Sequence, residues 1–464
     1  MKVLIFFMES AFQKQVHGGS AVILKHLSDA LVDSGDEITI LCRYRRNNTQ
    51  EFKLNSKTTV KPILKFKEVF PDAYFTPPYN IASAIAKISD YIERHDVFIN
   101  FDSNFIFQDI IKSRVPIINC LHDFVYSGAL QGTFLFRRDT MVANSVYTKA
   151  VIMSTVGRFF TDLEKRIIVI NNGIDAAHFK KVKPRKIFKY IPRKVAGKRL
   201  LLCPHRPEDG KGIFEAIQVL DLLCNKYKRK NYLLLIPIGL DVKVSTEIKE
   251  FYKKVEKFIK SYKLNDSVLF HEWIPFSLMN EYYSLGRVTL CIGNQIESFG
   301  NIPLESILCG TPPIISRIGA YRYVLPEWAV IKTNYGDLED VALKILGTKD
   351  NSDLKDSIDY IDNNYSLENM SERYVSLIHS RKLNPPLKYH PRRSNLFTIP
   401  PWCYVSKKGL YNDYERNYRK AKKLEKLFIN QPGGFSYRDA LYFGLSKNEV
   451  DYEVESGYVV PYLE

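Results

Sequence analysis

Two carboxylates eight residues apart bracket a glycine in Glu297-Ser-Phe-Gly-Asn-Ile-Pro-Leu-Glu305, between an apolar run and a helix expected to begin near Ile302. Glycine lets backbone approach a ligand closely, so Gly300 and Asn301 can offer N–H groups to an anion or a sugar hydroxyl. Glu305, one turn into the helix, can accept two vicinal hydroxyls; equally, an acidic residue there complements the helix dipole and needs no ligand. Upstream, Pro204-His-Arg-Pro-Glu-Asp-Gly-Lys-Gly212 follows another apolar run and sets Arg206 and Lys211 ahead of a second helix. Two cations beside a helix N-terminus can neutralise a diphosphate, including charge developing on a leaving group. A solvated basic loop is the plain alternative. A third turn, His17-Gly18-Gly19-Ser20, can present free N–H groups to a phosphate or serve only as a turn.

These turns need rigid elements to hold them, and the chain supplies them in alternation. Lys2–Phe7, Ile38–Leu41, Val97–Asn100, Val115–Cys120, Thr140–Ala143 and Arg166–Ile170 are short, continuous and rich in β-branched residues, which predicts buried strands. Ser20–Ser34, Ile81–Arg94 and Tyr147–Thr155 predict helices between them. A basic, proline-bearing stretch over 180–198 predicts an interdomain linker and hinge. The alternation then restarts, with strands over Arg199–Cys203, Tyr232–Ile238, Val268–His271, Val288–Ile292 and Pro313–Ser316. Helices are expected over Gly212–Cys224, Ser245–Tyr262, Ser277–Ser284, Ile302–Cys309 and Asp337–Leu346. Two such series predict two doubly wound Rossmann-like α/β domains facing a cleft, one over 1–182 and one over 198–365.

Composition narrows the classes further. Of 464 residues, 45% are hydrophobic, enough for more than one core. No apolar run approaches the roughly 18 residues of a spanning helix, and the N-terminal apolar stretch is too short for a signal peptide, so a cytoplasmic protein is expected. The seven cysteines are scattered singly, without metal-ligand spacing, which argues against disulfides and structural zinc. The formal charge of +16 attracts polyanions: nucleotide phosphates, anionic headgroups or nucleic acid.

The order of the turns resembles the retaining glycosyltransferase family 4-like enzymes of the GT-B fold. The resemblance spans roughly residues 1–380. It takes in Gly18-Gly19, Asn171-Asn-Gly-Ile-Asp175, Arg206 with Lys211-Gly212, and the Glu297–Glu305 motif. It also includes Ala143-Asn-Ser-Val-Tyr-Thr148, Phe270-His-Glu-Trp-Ile274 and Cys309-Gly-Thr-Pro-Pro313. It implies that Gly18 and Gly19 meet the donor diphosphate, that Arg206 and Lys211 clamp it from the other domain, that Glu297 faces the donor sugar and that Glu305 holds the ribose. Ile274, Phe299, Gly300, Asn301 and Ile302 complete the implied donor site, and His122 stands near the reacting sugar. By itself a lone histidine there reads as a structural hydrogen bond. The chain departs from the family pattern at Pro204-His205, where glycine is usual, at Asn171, where proline is usual, and in the glycine-free Phe270–Ile274 segment. The resemblance further implies retention of anomeric configuration, a nucleoside-diphosphate sugar (a UDP- or GDP-sugar) as co-substrate and no prosthetic group. No Asp-x-Asp closes an apolar strand, so no metal is expected.

Residues 366–382 resemble the family's last helix, which crosses back to the first domain. Beyond it the pattern stops. Residues 384–434 carry eleven Lys+Arg against three Asp+Glu, with a basic helix expected over Tyr414–Asn430. Ser436–Phe443, Gly444-Leu-Ser446, Lys447–Glu455 and Gly457–Val460 resemble a winged helix-turn-helix, so 383–464 is expected to be a basic, partly helical appendage. Two acceptors fit: a lipid-linked or cell-surface glycan with peripheral membrane contact, or a hydroxylated DNA base drawn by the basic tail. A nucleotide-sugar epimerase and a non-catalytic nucleotide-sugar binder also fit the fold.

Overall fold

The computed structural model describes the chain apart from residues 12–18, 68–75, 103–114, 123–126, 193–194, 196, 240–245, 350–352, 392–393 and 463–464. It divides into two units. The first comprises Met1–Gly173, Leu367–Asn412 and Asn417–Glu464; the second comprises Ile174–Ser366 and Asp413–Arg416.

The first unit is built on eight strands: β1 Lys2–Phe7, β2 Glu37–Arg43, β3 Phe52–Lys53, β4 Thr58–Leu64, β5 Val97–Phe101, β6 Ile117–Leu121, β7 Thr140–Ala143 and β8 Ile167–Val169. Their order is β3-β4-β2-β1-β5-β6-β7-β8, parallel except where the edge strand β3 pairs antiparallel with β4. Continuous apolar runs such as Val97-Phe-Ile-Asn-Phe101 are buried along their whole length, as a parallel sheet covered on both faces requires. β4 was not expected. Lys61 and Pro62 interrupt its apolar run, and its burial alternates residue by residue, so it carries the weaker period-2 signal. The helix Leu367–His379 places Met370, Tyr374 and Ile378 in the same core as Leu24, Leu27 and Leu31 of the helix Gly19–Asp33. Beside it, buried Asp36 accepts from the N-terminal ammonium at 2.9 Å and pairs with His379 Nε2 at 2.8 Å.

The second unit has six strands, all parallel: β9 Arg199–Leu202, β10 Tyr232–Pro237, β11 Val268–His271, β12 Val288–Cys291, β13 Pro313–Ser316 and β14 Ile331–Thr333. Their order is β11-β10-β9-β12-β13-β14. Strand order reverses between β9 and β12, and at such a switch point the loops leaving the two strands diverge and open a crevice at their carboxyl ends.

The expected linker is corrected. Residues 180–198 belong to the second unit, and Ile187, Ile191 and Val195 are all buried. Glu281 fixes the segment by accepting from the backbone N–H groups of Arg185 at 2.6 Å and Ile187 at 2.9 Å. Those three apolar residues recur every fourth position but are outnumbered by lysine, arginine and proline, which hid them. The chain changes unit at 173/174 and 366/367 instead, and again at 412/413 and 416/417.

The appended segment differs from expectation in its first half. Residues 414–421 are not helical: Gly409–Asn412 pairs antiparallel with both Cys403–Ser406 and Asn417–Arg419, and the helix begins only at Lys422. Tyr404, Tyr411 and Tyr418 pack face and edge across these strands, their centroids 4.8–6.2 Å apart, so aromatic cross-strand pairs override the helical charge pattern. In the second half, helices Tyr437–Tyr442 and Lys447–Glu455 each start with a capping box, Ser436 with Asp439 and Ser446 with Glu449. Among the described residues no helix is long and apolar enough to cross a membrane.

Ile187→Ala tests the reassigned segment. Truncating a fully buried isoleucine costs about 2–5 kcal/mol, whereas in a solvated linker the cost is near zero. A lowered urea midpoint for the second unit's unfolding is the expected result.

Candidate active site

In the second unit the loop leaving β9 and the loop leaving β12 are held together by backbone. The carbonyl of Gly210 accepts from the N–H groups of Asn294 at 2.8 Å and Gln295 at 2.9 Å. A Cβ on Gly293 would stand 2.1 Å from that carbonyl oxygen, and one on Gly212 (φ +90°) would stand 2.7 Å from the nitrogen of Gly293. Each contact therefore excludes any side chain. Lys211 lies between two of these glycines, and its ammonium donates to Glu297 Oε1 at 2.7 Å. The structure thus joins two residues eighty-six positions apart that the sequence placed on separate turns.

Burial alone would lower the pKa of Lys211, but the charge of Glu297 and the hydrogen bond to it prevail and hold Lys211 above its ordinary value. The nearby like charge of Arg206 opposes this. Arg206 itself is more than half exposed and lies 3.2 Å from Glu208 Oε1, so it is a cation that a ligand can recruit at little desolvation cost. His205, one of the departures from the pattern that the chain resembles, is structural. Its ring is buried, Nε2 is 2.8 Å from the carbonyl of Leu290, and burial together with the Lys211 charge brings its pKa down to about 4. His205 is a neutral strut for the loop that carries Arg206.

Glu305 sits in the helix Ile302–Leu308 and accepts from the hydroxyl of Tyr283 at 2.8 Å. Burial pushes its carboxyl up to about 7, and the Tyr283 hydrogen bond only partly offsets this. A carboxyl so poised gains from any ligand that offers further O–H donors. Asn301 is the residue before this helix, and Ile302 is its partly buried first residue.

Sequence reasoning missed the floor of the Glu297–Gly300 turn, formed by the short helix Gly319–Arg322. Ala320 N–H donates to the carbonyl of Glu297 at 2.8 Å. The ring of Tyr321 lies 2.1 Å from where a Cβ on Gly300 (φ +86°) would be, so both backbone angle and space demand glycine there. Only Gly319 marks this segment in the sequence, and one glycine after a strand has many uses. The side chain of Phe299 is 1% exposed and packs edge-on to Tyr365 at 5.6 Å, so its ring anchors the turn in the core. Ile274 is also buried.

In the first unit, His122 is buried at the end of β6. Its ring stacks on Phe101 at 4.6 Å, with Nε2 3.3 Å from the hydroxyl of Tyr374. Asp102, in the left-handed region at φ +57°, accepts from the His122 backbone N–H. Gly19 opens its helix, and Gly18 lies outside the described residues.

Gly293→Ala is expected to part the two loops, because the atoms it meets are backbone and cannot swing away. Overpacking of this kind costs about 1–3 kcal/mol. Gly347→Ala, where a Cβ meets nothing within 4 Å, is the matched control. Equal unfolding midpoints for the two variants would contradict the close approach.

Residues 185–365 match the family described as Glycosyl transferases group 1. N-acetyl-alpha-D-glucosaminyl L-malate synthase from Bacillus anthracis is 22% identical over 329 residues, 66% of this chain and 78% of that protein. Sucrose-phosphate synthase from Thermosynechococcus elongatus superposes with a TM-score of 0.67 at 16% identity, covering 82% of this chain and 98% of that one. HepE from Anabaena, in complex with UDP and glucose, superposes at 0.61 with 15% identity, covering 82% and 100%. The two α/β units are those of the GT-B fold.

Proposed function

We propose that this chain, whose residues 185–365 are a Glycosyl transferases group 1 domain, moves a sugar from a nucleoside-diphosphate sugar to a hydroxyl of a lipid-linked or cell-surface glycan, with retention at the anomeric carbon. The observation that carries this reading is the Lys211–Glu297 pair at the switch point, with Arg206 half exposed beside it. As the glycosidic bond to phosphate breaks, negative charge grows on the departing diphosphate and positive charge on the sugar ring. Lys211 and Arg206 stabilise the first, and Glu297 faces the second and accepts sugar hydroxyls. Glu305 binds the ribose diol. The roles that the resemblance implies for Gly18, Gly19 and His122, and the donor-side role of the second unit, belong to the same proposal. HepE was solved with UDP, which supports a UDP-sugar as the first donor to try.

One observation favours a glycan over a nucleic acid acceptor. In the winged-helix resemblance, the second helix is the one that would enter a groove. Here that helix, Lys447-Asn-Glu-Val-Asp-Tyr-Glu-Val-Glu455, carries four carboxylates against one lysine and would be repelled by phosphates.

A donor screen read by nucleoside-diphosphate release, run with membrane-lipid extract, oligosaccharide, DNA or no acceptor, tests the reading. Release stimulated by lipid or glycan supports it; stimulation by DNA reverses the acceptor assignment. A converted donor without any release means an epimerase. Glu297→Ala, Arg206→Ala and Lys211→Ala are each expected to lower transfer by roughly tenfold or more, and full activity in all three sinks the proposal.

Glu305 generates a pH test. Ribose hydroxyls donate to the ionised carboxylate, so donor binding favours deprotonation. Affinity for UDP-glucose should therefore rise as pH approaches about 7 and level off above it. Calorimetry at pH 6 and 8 should show this slope in the wild type and none in Glu305→Gln.

A further inference from the structure

The turn Asp413–Arg416 lies in the appended segment, outside residues 185–365, yet it belongs to the second unit while the residues on either side of it belong to the first. Asp413 is fully buried. Its carboxylate accepts from Arg322 twice, from Nη1 at 2.9 Å and Nη2 at 2.6 Å, and from the backbone N–H of Gly319 at 3.2 Å. Gly319 and Arg322 are the two ends of the short helix beneath the Glu297–Gly300 turn. Between them, Ala320 bonds the carbonyl of Glu297 and Tyr321 fills the space under Gly300. At the other end of the turn, Arg416 Nη1 is 3.2 Å from where a Cβ on Gly210 would be and 3.7 Å from Asp209 Oδ2. One four-residue turn therefore touches the support of both loops that bear the candidate donor residues.

We infer that Asp413 is a positioning residue for the donor site, fixing the Gly319–Arg322 helix so that Glu297 and Gly300 are held in their binding geometry. A buried bidentate carboxylate–guanidinium pair is directional, and the third bond to Gly319 ties its geometry to the main chain. Arg322 needs this partner because its guanidinium is only 9% exposed and an unpaired buried charge is strongly unfavourable. The appended segment thus contributes to the reaction site without touching the substrate. The inference rests on the donor-site reading above.

The test uses the full chain, with UDP and GDP as calorimetric probes and thermal unfolding alongside. Asp413→Asn should lower the unfolding midpoint and weaken binding of the nucleotide that the wild type prefers by roughly tenfold. The double variant Arg322→Met/Asp413→Leu separates positioning from stability. An apolar pair of similar volume can restore the midpoint, but Gly319 N–H then lacks its acceptor, so affinity should stay roughly tenfold down. Recovery of both midpoint and affinity in the double variant, or unchanged affinity in Asp413→Asn, overturns the positioning role. A wild type that binds neither nucleotide overturns the donor-site reading itself, and the inference with it.

Discussion

At the centre of the second unit the backbone of Gly293 meets the backbone of Gly210, leaving no room for a side chain. The Gly210 carbonyl takes two hydrogen bonds from the β12 loop, so the two loops at the switch point behave as one rigid piece. The position of Lys211, between Gly210 and Gly212, is then set by backbone rather than by its own flexible stem. Side-chain entropy that a surface lysine would lose on binding has already been lost on folding. The parallel sheet supplies the divergence of the two loops, and the glycines supply their contact.

The ion pair placed there is better suited to binding than to stability. Lys211 and Glu297 are partly desolvated, at 14% and 23% exposure, so the cost of removing them from water offsets much of their attraction. Glu297 keeps a second oxygen, and Lys211 has further protons to donate. An incoming anion can share the ammonium while hydroxyls share the carboxylate, so neither charge is left alone. Arg206 adds a cation that remains in water until a ligand arrives. The support lies beneath: neutral His205 under one loop, Tyr321 and the Gly319–Arg322 helix under the other.

The fold was legible where the chain speaks in continuous apolar runs. β1 and β7 were read to the residue, and strands of both sheets were located because burial on two faces leaves no polar interruption. Where burial was one-sided or local, the reading failed: β4 alternates, Ile187, Ile191 and Val195 sit among basic residues, and the Tyr404–Tyr411–Tyr418 packing sits in a stretch whose charge suggested a helix. Glu297, Glu305, Arg206 and Lys211 were visible as residue types at spacings. Their mutual arrangement was not, since the Lys211–Glu297 contact and the Asp413–Arg322 pair span 86 and 91 positions and leave no local pattern. Phe299 stands in the same motif, and only the structure shows that its ring belongs to the core.

The charge of the tail shows how a sequence window can mislead about partners. Residues 384–434 look like a polyanion-binding surface when counted alone. The next thirty residues add two basic and six acidic side chains. In the fold part of this counter-charge returns to the basic stretch: Arg419 pairs with Glu453, and Lys423 lies 3.6 Å from Glu449. Arg419 also stacks on Tyr458, its guanidinium carbon 3.7 Å from the ring centroid. The basic strand and the acidic helix Lys447–Glu455 thus partly neutralise each other within the segment. Lys407, Lys408, Lys420, Lys422, Lys423 and Lys426 are exposed, and solvated charge attracts anions without selecting a sequence. Selectivity for an acceptor has to come from shaped contacts, which a count of charge along a sequence window does not reveal.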